Sequence, residues 1–145
     1  MDEPVAERLG ENILALVRGE ETKKPSLPAD QNVYKHYKEF GLTSVEKNFY
    51  SLIENFHAED PKGIVLNGIG YNFLKEGNVD EALQFFELNV KLFPEDANLW
   101  DSLGEVYFVK KDYKTALKHY KKALEIDSYM ESSKDMIRKI KAINK

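Results

Sequence analysis

The sequence contains no cysteine, which excludes disulfides, thiolate catalysis and cysteine-ligated metal. No apolar run approaches the length of a membrane span. The N-terminus, MDEPVAERLG, is acidic where a secretory leader would be basic, and no apolar core follows it. As it stands the chain is expected in the cytoplasm, with an extracytoplasmic location open if it is a fragment of a larger secreted protein. The three histidines, His36, His57 and His119, are scattered without a His-x3-His or Glu-x2-His pair. They read as surface residues, and neither a metal nor another cofactor is expected.

Two short strings imitate catalytic motifs. Gly68-Ile69-Gly70 begins like a phosphate loop but lacks the third glycine and a preceding strand. Ser44-Val45-Glu46-Lys47 spells the Ser-x-x-Lys of serine β-lactamases without the companion motifs, and a helix-capping role for Ser44 is expected. Nothing assembles a nucleophile, a base and an oxyanion donor, so the chain is not expected to be an enzyme.

What is present suits a soluble, mostly helical domain: of 145 residues, 42% are hydrophobic and 32% charged. The net charge of −4 conceals an asymmetry, with 10 Lys/Arg against 20 Asp/Glu in residues 1–109 and 11 against 5 in residues 110–145. Lys114, Lys118, Lys121 and Lys122 read as the solvated face of a helix. No nucleic-acid or membrane partner is expected.

The dominant signal is self-similarity. ANLWDSLGEVYFVKKDYKTALKHYKKALEIDS, from Ala97 to Ser128, repeats the pattern of the stretch from Gly63 to Pro94 at a period of 34 residues. Trp100 aligns with Leu66, Leu103 with Ile69, Gly104 with Gly70 and Tyr107 with Phe73. Ala116 aligns with Ala82, Tyr120 with Phe86 and Ala123 with Asn89. Leu66, Ile69 and Phe73 recur at three- and four-residue steps, as do Trp100, Leu103 and Tyr107, so each set makes one apolar helix face. A second helix follows each, capped at Asn78 and at Asp112. Gly70 and Gly104 fall mid-helix, where glycine costs about 1 kcal/mol against alanine. Close helix approach is the expected compensation, with Ala82 and Ala116 as the facing small residues.

The period and the Trp-x2-Leu-Gly-x2-Tyr core resemble the tetratricopeptide repeat (TPR). The resemblance implies an all-α, superhelical stack of antiparallel helix pairs. It divides the chain into an N-terminal amphipathic helix (1–19), a linker (20–30) and a repeat domain (31–145). That domain holds a degenerate helix pair (31–60), repeats at 63–96 and 97–130, and a capping helix (131–145). In the degenerate pair, Asp30 is the expected cap of a helix over 31–40, and Thr43 with Glu46 the capping box of one running to about His57. The last helix is expected over about 129–143, with an apolar side of Met130, Met136, Ile137, Ile140 and Ile143. The first, at 4–18, carries Val5, Leu9, Ile13, Leu16 and Val17 on one stripe and needs a surface, in its own groove or on a second copy. A monomer or a weak homodimer through residues 4–18 is expected.

In such a stack the concave face comes from the first helix of each repeat. It would present Ile64, Asn67, Tyr71 and Leu74, then Asn98, Asp101, Glu105 and Phe108. Of these, Asn67, Tyr71, Leu74, Asn98, Asp101, Glu105 and Phe108 are the candidate peptide-binding residues, suited to a peptide or helix of basic character. Relatives that clamp a C-terminal carboxylate use Lys and Asn where this chain has Asn67, Tyr71 and Ser102, which argues against that ligand. The layout of a helix, a proline-containing linker and repeats is also similar to the C-terminal appendage of bacterial serine hydrolases of β-lactamase or esterase type. Two functions follow as expectations: a non-catalytic module for a protein or peptide partner, or an intramolecular appendage of such a hydrolase.

Overall fold

The computed structural model describes residues 28–54, 56 and 61–143. The expectations for the helix at 4–18, for the linker over 20–27 and for His57 lie outside these residues, while Ala29 and Asp30, expected in the linker, already belong to a helix. Seven helices and no strands are found among the described residues: α1 (Ala29–Phe40), α2 (Leu42–Leu52), α3 (Gly63–Lys75), α4 (Val79–Leu92), α5 (Ala97–Val109), α6 (Tyr113–Ile126) and α7 (Glu131–Ile143). The helices fall into two compact units, α1 and α2 in one and α3 to α7 in the other.

In the first unit α1 packs on α2 through Val33, Val45 and Phe49, all fully buried. Asn32 Nδ2 donates to the Leu52 carbonyl at 2.8 Å, and His36 Nε2 lies 2.8 Å from Ser44 Oγ, so the start of one helix meets the end of the other. The boundaries differ from expectation. Pro28, not Asp30, precedes α1, and Asp30 lies in its first turn. Gly41, with φ of 76°, both ends α1 and precedes α2, so Thr43 falls inside the helix and forms no capping box with Glu46. The helix ends at Leu52, short of His57. Ser44 is no cap either, because its hydroxyl pairs with His36 and takes Asn48 Nδ2 at 3.3 Å.

In the second unit α3/α4 and α5/α6 are two helix pairs, and α7 packs on α6. Leu66, Phe86 and Leu103 are almost wholly buried, each worth about 1.5–3 kcal/mol. The mid-helix glycines admit rings, not the alanines expected. A Cβ on Gly70 would stand 2.8 Å from the Phe86 ring, and one on Gly104 2.8 Å from the Tyr120 ring. Ala82 and Ala116 are fully buried but are not the groups that claim that space.

The two turns within the pairs are built alike. Gly77 has φ of 81° and Lys111, 34 residues on, has φ of 62°. Their neighbours close the same bonds, Asn78 N to Phe73 O and Asp112 N to Tyr107 O, both 2.9 Å, the Schellman pattern of a helix end. Asp112 then caps α6 by accepting from Thr115 N at 3.1 Å. Asn78 makes no such cap, its amide donating to Glu76 instead. The last helix begins at Glu131, later than expected, and seats fully buried Ile140 beside Ala116 and Tyr120.

Candidate functional site

Helix periodicity sets Asn67, Tyr71 and Leu74 on one stripe of α3 and Asn98, Asp101, Glu105 and Phe108 on one stripe of α5. Across these stripes Tyr71 Oη donates to Glu105 Oε2 at 2.7 Å and approaches Ser102 Oγ at 3.2 Å. Burial, with Glu105 and Asp101 nearby, pushes the Tyr71 phenol up to about 12. The Tyr71 ring sits edge-on to Phe86, with centroids 5.1 Å apart.

Asp101 accepts a short hydrogen bond from Ser133 Oγ on α7, and Ser133 is fully buried. Tyr120 reaches the same region from α6. Its ring lies on Gly104, it is 1% exposed, and its hydroxyl has no hydrogen-bond partner. Burial raises its pKa, with smaller contributions from the charges of Asp101, Glu105 and Tyr71. Asn67 Oδ1 is likewise buried without a partner.

The remaining stripe residues are differently employed. Asn98 is exposed, with its backbone N–H and its side chain both donating to Asp96 Oδ1 at the start of α5. Leu74 is half-buried. Phe108 packs against the cluster of Ala116, Tyr120 and Ile140, with Lys139 Nζ 5.1 Å from its ring centroid. Sequence reasoning passed over the Tyr120 hydroxyl and Ser133. A signal existed for the first: tyrosine stands at 120 where the preceding repeat has Phe86.

Away from this face, His119 is not the free surface residue expected. It is half-buried between Trp100 and Tyr107, stacked at centroid distances of 5.7 and 5.2 Å. Its Nδ1 has no partner, and its pKa is lowered by burial and then by Lys118. The Ser44–His36 contact has the length of a nucleophile–base pair. Among the described residues nothing hydrogen-bonds the other ring nitrogen of His36, which instead packs on Phe40 at 4.8 Å. No group of three or more potential metal ligands occurs among the described residues. None of the described helices is long and apolar enough to cross a membrane.

Residues 97–129, covering α5 and α6, match the family model of the tetratricopeptide repeat. The TPR domain of Sgt2 from Aspergillus fumigatus superposes with a TM-score of 0.55, covering 81% of this chain and 80% of that one at 19% identity. The fold is that of a TPR protein. In sequence the chain is 28% identical over 98 residues to the "Tetratricopeptide repeat domain-containing protein PYG7, chloroplastic" of Arabidopsis thaliana, and 61% of the chain aligns. It is 38% identical over 58 residues, 40% of the chain, to Superkiller complex protein 3 of Homo sapiens. The chain spans 33% of the length of the first and 4% of the second, so its repeats correspond to part of much longer proteins.

Proposed function

We propose that this TPR chain is a non-catalytic interaction module that holds a peptide or helix of a partner protein on the face shared by α3 and α5. The observation that carries the reading is the Tyr71–Glu105 hydrogen bond with the unpartnered Asn67 and Tyr120 oxygens beside it. A buried polar atom without a partner destabilises the fold, and a ligand on this face could relieve that at both oxygens. The exposed flank of Ile64 and Asn98 gives the same face room for an extended ligand. We assign the repeat domain to 31–145, with the segment before it as a separate element. The alternative, an appendage packed on a catalytic domain of the same polypeptide, draws support from the much greater length of the curated relatives. Nothing in their names points to a serine hydrolase.

The test is selection of a random-peptide phage library on the full chain, with the enriched peptides mapped by NMR. Shifts centred on Tyr71, Ser102 and Glu105 are expected. Shifts confined to the lysines of α6 would place the interaction elsewhere and overturn this reading.

A further inference from the structure

The α3–α5 face carries two carboxylates and two further oxygens that lack a hydrogen-bond partner. Asp101 and Glu105 each accept from a hydroxyl, Ser133 and Tyr71 respectively, and neither is bonded to a cation among the described residues. Asn67 Oδ1 is an acceptor with no partner. Tyr120 is 99% buried by its 1% exposure, and its hydroxyl is also without a partner. The ring of Tyr120 lies on α5 at Gly104, between Asp101 and Glu105 in sequence, and the charges of both carboxylates act on its hydroxyl. The first repeat lacks this arrangement: Phe86 crosses Gly70 with no hydroxyl, and Asn67 and Tyr71 stand where Asp101 and Glu105 would be.

We infer that the cluster of Asn67, Tyr71, Asp101, Glu105 and Tyr120 is a binding site for one cationic side chain, lysine or arginine, of a peptide partner. The inference rests on reading this face as a peptide groove. An ammonium or guanidinium can donate to the Asn67 amide oxygen and to the lone pairs of the Tyr120 hydroxyl, and its charge complements the two carboxylates. An anionic ligand meets like charge here, and an apolar one leaves the Tyr120 and Asn67 oxygens unpaired. Neither carboxylate is bonded to a cation among the described residues, and Ile64 and Glu105 are exposed, so the face can take a side chain from a separate peptide.

The probes are capped alanine-serine peptides identical except for one central residue: lysine, arginine, norleucine or glutamate. Each is titrated into the full 145-residue chain with NMR detection. The lysine and arginine peptides are expected to shift Tyr71, Asp101, Glu105 and Tyr120, and to bind at least about tenfold more tightly than norleucine, as charge-assisted bonds allow. Their relative affinities then tell which cation the site prefers. Tyr120→Phe keeps the ring on Gly104, as Phe86 does on Gly70, and Glu105→Gln keeps an oxygen that can accept from Tyr71, so both should melt like the parent. Both should nevertheless lose most of the lysine-over-norleucine preference. Equal binding of lysine and norleucine on this face would overturn the cation site while leaving the groove reading intact. Failure of every peptide, phage-selected ones included, to move α3 or α5 would overturn both. An absence of lysine-peptide shifts in a chain that still binds phage-selected peptides here would likewise overturn the cation site.

Discussion

Tyr71 donates its phenolic proton to Glu105, the residue that holds Tyr71's own position one repeat later, across 2.7 Å and 34 residues of sequence. The bond therefore joins equivalent points on successive helix pairs and ties α3 to α5 on the groove side. It also keeps the phenol protonated, because burial and the neighbouring carboxylates oppose a phenolate.

That linkage makes stability depend on alkaline pH. An unfolded tyrosine ionises near 10, whereas Tyr71 in the fold ionises at about 12. Its contribution is thus complete below pH 10 and is lost as the pH rises from there through about 12. Urea midpoints measured on either side of that window should fall with rising pH, and Tyr71→Phe should flatten the fall. Because Tyr71 is half-exposed, screening by solvent keeps the effect small. A decline identical in Tyr71→Phe would assign it to the other tyrosines.

The 34-residue period was readable because Leu66, Ile69 and Phe73 and their partners one repeat on keep size and spacing together. The helix ends of the first unit were not, since the polar residues at Asp30 and Thr43 suggest caps that the chain does not use. A single glycine in a left-handed conformation, Gly41, settles both boundaries there. The groove stripe follows from periodicity alone, but Tyr120 comes to it from α6. Only the contact of its ring with Gly104 reveals that.

Backbone conformation supplies a second prediction. Lys111 occupies, with φ of 62°, the turn position that Gly77 fills one repeat earlier. A side chain in that region costs roughly 1–2 kcal/mol, and the added freedom of an unfolded glycine returns about 0.4–1 kcal/mol. Lys111→Gly should therefore stabilise the chain by about 0.5–1 kcal/mol. Gly104→Ala should go the other way, losing about 1–3 kcal/mol to overpacking against the buried Tyr120 ring. Chemical denaturation of both variants would check the pair, and a stabilised Gly104→Ala would show that the Tyr120 ring yields freely.

A third concerns acid. His119, enclosed by Trp100 and Tyr107, has its pKa lowered below the ordinary 6.5, first by burial and then by Lys118, with Asp112 opposing. The unfolded chain then takes up a proton before the folded one, so this contribution is present above pH 6.5 and lost as the pH falls through the lowered value. Melting temperature should drop between neutral pH and pH 5, and His119→Gln should lessen the drop. An NMR titration that places His119 at or above its ordinary value would contradict the stacked geometry.

The last prediction turns on Asn89, the polar residue that stands where the next repeat has Ala123. Asn89 is fully buried, and its Nδ2 donates to the Gly63 carbonyl at 2.8 Å while its Oδ1 finds no partner. The amide thus anchors the first turn of α3 onto α4. Asn89→Ala removes the anchor and leaves a small void, a loss of about 1–3 kcal/mol. Asn89→Asp keeps the shape but replaces the donor with a carboxylate facing a carbonyl. Ionised, that side chain would be both buried and repelled, so at neutral pH this variant should be less stable than Asn89→Ala. Protonation restores an O–H that can donate to Gly63. The raised pKa of the new acid makes its stability recover as the pH falls toward the carboxylic range, opposite to the trend expected of His119. Thermal melts of both variants at neutral pH and near pH 5 would decide it, since only a buried donor at this position predicts that Asn89→Asp gains relative to Asn89→Ala on acidification. If the two variants kept the same difference at both pH values, Asn89 would have to reach solvent, and its anchoring of α3 would be wrong.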